Sequence, residues 1–283
     1  MALSVIEVLK KTEEFFLQKN IPNAKLDAQL LLAKAMNKRR LELFLLFDKP
    51  MQQNELDLYR AFVRRRAKRE PLQYIVGECE FYNAVLKCDS RALIPRSETE
   101  ELCALVCEKY FADKKDCHLK ILDMGTGSGA IAVALAKNFK NAKVFACDIS
   151  ENALSLAAEN ANLNSVNIEF IKSNWFENIS GKFDIIISNP PYLTKEEVET
   201  AQSEVKDFEP YNALFSENNG FADLQKIIEN AKNRLNENGF LFFETGIAHK
   251  APLELIAKKC GFLCEALPDL SGRQRYGILQ IAK

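Results

Sequence analysis

Ile121-Leu122-Asp123-Met124-Gly125-Thr126-Gly127-Ser128-Gly129-Ala130 is the stretch whose reading decides the fold. A short apolar run ends in a carboxylate, a turn with alternating glycines follows, and Ile131 to Lys137 then reads as a helix. A glycine-rich turn between a first strand and its helix is where an open α/β sheet holds a nucleotide-like ligand. Glycine removes Cβ atoms there, so the backbone can approach the ligand closely and take up positive φ. Spacing alone leaves the ligand open, because Gly125-x-Gly127-x-x-Ala130 also satisfies the dinucleotide fingerprint.

Three further features bear on the choice. Asp123 stands inside the strand end, where a carboxylate is placed to face the ammonium of a methionyl group and would repel a pyrophosphate. Asp148 ends the next apolar run, Val144 to Cys147, from where a carboxylate accepts both ribose hydroxyl protons. Nicotinamide and methionine nucleotides share that contact, and the residue also suits a cap on the helix beginning near Glu151. Asn174 and Trp175 follow a third strand, Ile168 to Lys172, and offer an amide and an aromatic wall for adenine; Trp175 equally suits a core.

Phe183 to Ser188 reads as a further buried strand, and Asn189-Pro190-Pro191-Tyr192 leaves its carboxyl end on the same rim as the glycine turn. An amide or exocyclic amine nitrogen is a weak nucleophile, so two acceptors on its two N–H groups are needed to aim it at an electrophilic methyl. The Asn189 side-chain oxygen is one such acceptor and the Pro190 carbonyl a second, since proline fixes φ and restricts the residue before it. Tyr192 is placed to stack on a planar target, with its hydroxyl anchoring a neighbour. The bland alternative is a rigid Pro-Pro turn without chemistry.

Further outward, Ala222 to Leu235 is helix-like, Gly239 to Phe243 strand-like and Pro252 to Lys259 helical. Phe262 to Leu267 and Tyr276 to Ile281 suit a strand pair around the polar Asp269 to Arg275 turn. Strand and helix alternating in this way predict a largely parallel, twisted sheet covered on both faces. In front, from Ser4 to about Arg69, apolar residues recur three and four apart, with Pro22 and Pro50 as breaks, which predicts a small helical domain. Leu72 to Ile94 suits a hairpin or extended linker.

Composition narrows the classes. With 38 Lys+Arg against 39 Asp+Glu the formal charge is -1, so no global positive field draws the chain onto nucleic acid or anionic lipid. The 8 cysteines include no Cys-x-x-Cys clamp and there are 2 histidines, so no metal site is expected. No run approaches the ~20 apolar residues that cross a bilayer, which predicts a cytoplasmic protein with reduced cysteines and no membrane partner. Arg64, Arg65, Arg66, Lys68 and Arg69 form the one dense positive cluster, read as a solvated helix face or as a surface for an acidic partner or nearby RNA. His249 is read as a surface polar group rather than a base.

At this point the chain resembles the protein glutamine-N5 methyltransferases that modify the Gly-Gly-Gln loop of peptide-chain release factors. The likeness runs through Glu70-Pro71-Leu72-Gln73-Tyr74-Ile75, Leu93-Ile94-Pro95-Arg96, Glu98-Thr99-Glu100 and Asp123 to Gly129. It continues through Asn174-Trp175-Phe176, Ser188 to Tyr192, Phe208-Glu209-Pro210, Glu244-Thr245-Gly246 and Asp269 to Arg275. Ser97, where the family usually has proline, and Asn174, where aspartate is common, are departures.

Taken with the residues, the resemblance implies an α/β fold. The sheet is expected to be Rossmann-like, doubly wound, mostly parallel and seven-stranded with a terminal antiparallel strand. A small all-helical N-terminal domain and a β-hairpin linker precede it. The expected division is a helical substrate-recognition domain at 1–70, a linker at 71–95 and a methyltransferase domain at 96–283. The expected cofactor is S-adenosyl-L-methionine, held by Asp123, Gly125, Thr126, Gly127, Ser128, Gly129, Asp148, Asn174, Trp175 and Asn189. Asn189, Pro190, Pro191 and Tyr192 are expected to bind the target glutamine, with Asn189, Pro190 and Tyr192 catalytic. Release factors are the expected partners, with nucleic acid at most an indirect one.

The nearest rival is an adenine N6 methyltransferase acting on DNA or RNA, whose flipped base presents the same two N–H groups. Near-neutral charge and the lack of an evident target-recognition domain argue against it. A non-catalytic cofactor-binding scaffold would carry a damaged Asn189 or glycine turn, and neither is damaged.

Overall fold

A computed structural model of the chain describes residues 3–114 and 116–282; the outer bounds of the expected domains, 1 and 283, lie outside them. The chain divides into two compact units. One runs up to Glu78 and includes Gln202–Phe208, and the other comprises Cys79–Ala201 and the chain from Glu209 onward.

The first unit is helical, with α1 at Val5–Gln18, α2 at Ala24–Ala35, α3 at Gln53–Ala67 and α4 at Leu72–Val76. A capping box between Ser4 and Glu7 starts α1 by satisfying N–H groups at the helix start. Its core gathers Val5, Val8, Phe16, Leu31, Leu32, Leu43 and Tyr59. Leu72–Val76 corrects the linker reading: Pro71 opens a turn of helix, Gly77 closes it at φ 83°, and Leu72, Ile75 and Val76 join the helical core.

The solvated reading of the basic cluster holds for Arg64, Arg65 and Lys68, which are exposed, and fails at Arg66. Arg66 is buried and pairs with Asp27 at 2.7 Å and Glu204 at 2.8 Å, while Arg69 pairs with Glu204 at 2.7 Å. Arg65 donates to Glu70 at 2.9 Å. Arg66 and Arg69 therefore spend their charge within the unit, on Glu204 of the returning segment. Removing one partner from such a cluster strands a buried charge, so Arg66→Ala is expected to cost about 3–5 kcal/mol. Denaturant unfolding checks this, and a loss within about 0.5 kcal/mol, as at an ordinary surface site, would contradict it.

A hairpin begins at the boundary, β1 at Glu78–Phe81 and β2 at Ala84–Lys87, and α5 follows at Ser97–Ala104. Next come β3 at Lys120–Met124, α6 at Ala130–Asn138, β4 at Lys143–Asp148, α7 at Glu151–Leu163, β5 at Ile168–Lys172 and β6 at Phe183–Ser188. The sheet is completed by β7 at Leu235–Glu244, β8 at Phe262–Pro268 and β9 at Gln274–Ile281. The seven strands β3–β9 lie in the order β5-β4-β3-β6-β7-β9-β8. β9 runs antiparallel to both β7 and β8, and the last two strands form the pair that the sequence suggests.

Strand alternation separates two cores. Ile121, Ile185 and Ile187 face one layer with α6, whereas Leu122, Met124 and Ile186 face the other with Leu224, Ile227 and Ile228. Winding reverses between β3 and β6, which opens a crevice at their carboxyl ends.

Candidate active site

Register sets the two loops side by side. Met124 pairs with Ser188 as the last residues of β3 and β6, and Ser188 Oγ donates to the Met124 carbonyl at 2.8 Å. Gly125 and Asn189 are therefore the next residues of adjacent strands, at the reversal point.

The glycine turn is held by its own neighbours. Asp123 is fully buried; its Oδ2 accepts from Thr126 Oγ1 at 2.6 Å and from the Ala132 amide at 3.1 Å, while Oδ1 has no partner. Burial pushes its carboxyl up to about 7. Asp148 Oδ2 accepts from the Gly127 amide at 2.9 Å and Oδ1 from the Ser150 amide at 2.9 Å. The cap of α7 is Ser150, so the capping alternative for Asp148 does not hold. Gly129, at φ 81°, would carry a Cβ 2.9 Å from that of Ala157, so only glycine lets α7 pack this close. Thr126 and Ser128 are buried. What the turn exposes is therefore mainly backbone.

Trp175 closes one side: its ring lies 3.4 Å from where a Gly125 Cβ would stand, and Nε1 donates to Asp223 Oδ1 at 3.1 Å. Asn174 is exposed and donates to Glu177 Oε1 at 2.7 Å. These residues fit an S-adenosylmethionine-like ligand. The buried Asp123 Oδ1 is an acceptor without a partner, Asp148 is a carboxylate at the end of the neighbouring strand, and a bare glycine turn faces an indole.

On the β6 side, Asn189 Nδ2 donates to Thr99 Oγ1 at 2.9 Å, leaving Oδ1 as an acceptor. Pro190 is buried and Pro191 half-buried. The Tyr192 hydroxyl donates to Glu244 Oε1 at 2.8 Å, so it anchors the loop to β7 rather than a substrate neighbour. Burial and Glu244 push its phenol well above the usual range, so it stays protonated. Arg275 lies 5.6 Å from the ring centre of Tyr192.

Several supporting residues were given no role from the sequence. The resemblance runs through Thr99 and Glu244 without assigning either a role. Asn160 is fully buried in α7, donates to the Ser128 carbonyl at 2.9 Å and accepts from the Lys87 amide at 2.7 Å. Its signal was a polar side chain within the apolar stripe Ala153, Leu156, Ala157, Ala161. Arg96 pairs with buried Glu209 at 2.7 Å. His249 is corrected: it is buried, with Nδ1 at 3.0 Å from Thr245 Oγ1 and Nε2 at 2.9 Å from the Asn219 carbonyl.

Comparison with known proteins agrees with this geometry. A family model described as "PrmC N-terminal domain" matches residues 7–77, and one described as "Methyltransferase small domain" matches residues 109–207. A release factor glutamine methyltransferase of Lactococcus lactis is 46% identical over 214 residues, covering 75% of this chain and 78% of the relative. One of Buchnera aphidicola is 36% identical over 274 residues, covering 95% of this chain and 97% of the relative. Among solved structures, a ribosomal protein L11 methylase of Lactobacillus delbrueckii aligns with TM-score 0.51 at 25% identity, over 68% of this chain and 82% of that one. A glycine turn and an Asn-Pro-Pro-Tyr loop on one rim, with a matching helical segment before them in sequence, thus coincide with these relatives, and the chain belongs to the release factor glutamine methyltransferase family.

Proposed function

We propose that this chain transfers the methyl group of S-adenosyl-L-methionine to the side-chain amide nitrogen of the glutamine in the Gly-Gly-Gln loop of peptide-chain release factors. The observation that carries the reading is the Asn189 side chain. Its NH2 is engaged by Thr99, its oxygen is left as an acceptor, and it is the rim residue beside the glycine turn.

When bound, the cofactor supplies an electrophilic methyl on a positively charged sulfur. Gly125, Thr126, Gly127, Ser128 and Gly129 would hold it through backbone, with Asp148 as acceptor for the ribose hydroxyls, Asp123 for the ammonium, and Trp175 and Asn174 beside the adenine. Asn189 Oδ1 and the Pro190 carbonyl each accept one N–H of the target amide and turn its nitrogen toward the methyl. Pro191 and Tyr192 border the amide plane, with the Tyr192 ring as a flat wall. No strong base is required, because one of the amide's own two N–H protons is lost to water after the methyl has transferred. Holding nitrogen and methyl in line supplies up to about 7–11 kcal/mol through proximity.

In this reading the helical unit recognises the folded release factor, and the reaction runs in the cytoplasm. Among the described residues no helix is long and apolar enough to cross a membrane. The test incubates the protein with methyl-labelled cofactor and release factor, DNA or RNA, and maps the label by mass spectrometry. Label on the glutamine side-chain nitrogen is expected; label on adenine with none on the release factor would replace this reading by the nucleic-acid one.

A further inference from the structure

A carboxamide has two ends of nearly equal shape, and a half-turn about its last bond exchanges an acceptor for a donor. The target nitrogen presents only N–H groups. An Asn189 side chain turned the wrong way would therefore set donor against donor at the point where the reaction needs an acceptor. Something must choose the rotamer.

We infer that Thr99 and Glu244 are positioning residues that fix which end of the Asn189 carboxamide meets the substrate. The inference rests on the reading of Asn189 given above. Glu244 closes β7 and is buried beside Tyr192 and Thr99, with Oε1 taking the Tyr192 hydroxyl and Oε2 the Thr99 hydroxyl, each at 2.8 Å. An ionised carboxylate only accepts, so the single Thr99 proton goes to Glu244. Thr99 Oγ1 then has only lone pairs to offer Asn189, and the 2.9 Å contact between them is made by Nδ2. Oδ1 is left over, at the other end of the amide.

The chain of polarity runs from carboxylate to hydroxyl to amide, each link dictating the next. The same carboxylate also fixes Tyr192, so both ends of the Asn189–Tyr192 loop are set by one buried charge. Burial pushes the Glu244 carboxyl up, and the two hydroxyl donors and nearby Arg275 oppose that push. Thr99 comes from the first turn of α5, an element remote in sequence from both loops, and it is buried. A threonine there packs as valine would; what it adds is one directed hydroxyl.

The test compares Thr99→Val, which keeps the shape and deletes the hydroxyl, with Thr99→Ser, which keeps the hydroxyl. The substrate is a release factor, both native and with glutamate in place of the target glutamine. Thr99→Val is expected to lower kcat about 10²-fold, the scale of a misplaced reacting group, with cofactor affinity changed less than about threefold. Thr99→Ser is expected to restore kcat to within about threefold of the parent, since the directed hydrogen bond survives. The preference for binding the glutamine over the glutamate form is expected to shrink about tenfold in Thr99→Val, because a released Asn189 can turn its NH2 to a carboxylate. A residue that only fills space would not alter that preference.

Equal loss in the valine and serine variants, or an unchanged preference, would overturn the inference. Full kcat in Thr99→Val alongside an inactive Asn189→Ala would overturn it while sparing the reading of Asn189; full activity in Asn189→Ala would remove both. Should valine not fold at this position, Thr99→Ala carries the same comparison.

Discussion

Asn189→Ala is expected to cut turnover by about 10²–10³ while leaving the cofactor affinity nearly unchanged, the signature of losing one preorganised contact made in the transition state. That fall corresponds to about 2.7–4 kcal/mol of barrier. The effect is large because the nitrogen lone pair of an amide is delocalised, so its approach must be enforced from both N–H groups. With alanine, only the Pro190 carbonyl remains, and the amide can rotate about that single hydrogen bond. Cofactor affinity survives because the backbone of the glycine turn, Asp148 and Trp175 are held by contacts that do not involve Asn189. Single-turnover kinetics with labelled cofactor, beside calorimetric cofactor binding, separates the two. Loss of cofactor binding with chemistry intact would assign Asn189 to the wrong partner.

Gly220→Ala is the second large effect, and it acts from outside the motif. Gly220 sits at φ 81° after Asn218 and Asn219, both at φ 54°, in a turn of left-handed residues. A Cβ there would stand 2.0 Å from the Tyr192 carbonyl oxygen and 2.8 Å from its carbon. Those are backbone atoms, so no rotamer change relieves the overlap. His249 grips the neighbouring Asn219 carbonyl, and the Tyr192 hydroxyl is tied to Glu244, so the turn and the loop are each anchored from behind. The loop must shift by about 1 Å, a displacement that costs about 10²-fold in rate. The left-handed backbone adds about 1–2 kcal/mol of destabilisation for any residue with a Cβ. Turnover and the thermal unfolding midpoint are both expected to fall; parent-like turnover would mean that the loop tolerates displacement and that its geometry matters little.

What was legible in the sequence is what local pattern controls. The strands β5 and β6 and the rim position of both loops follow from apolar period and chain punctuation, because a strand end and its following loop are neighbours in sequence. The sequence places a strand at Gly239 to Phe243; β7 instead begins at Leu235 and shifts register against Phe183 and Ile185. Thr99 and Glu244 gained no role because the bond between them spans 145 positions, and nothing in either local segment announces it. The same holds for Glu204, whose pairing with Arg66 and Arg69 takes those two residues out of the basic surface. His249 looked like a loop polar group until its contacts with Thr245 and the turn at Asn219 were visible.

The most direct test of the central claim is a crystal structure with the demethylated cofactor product and a release-factor peptide containing the target glutamine. The account predicts the glutamine side-chain nitrogen within about 2.7–3.2 Å of both Asn189 Oδ1 and the Pro190 carbonyl oxygen, facing the sulfur. A glutamine bound with its nitrogen away from both acceptors, or an Asn189 side chain rotated so that Nδ2 faces it, would contradict the account.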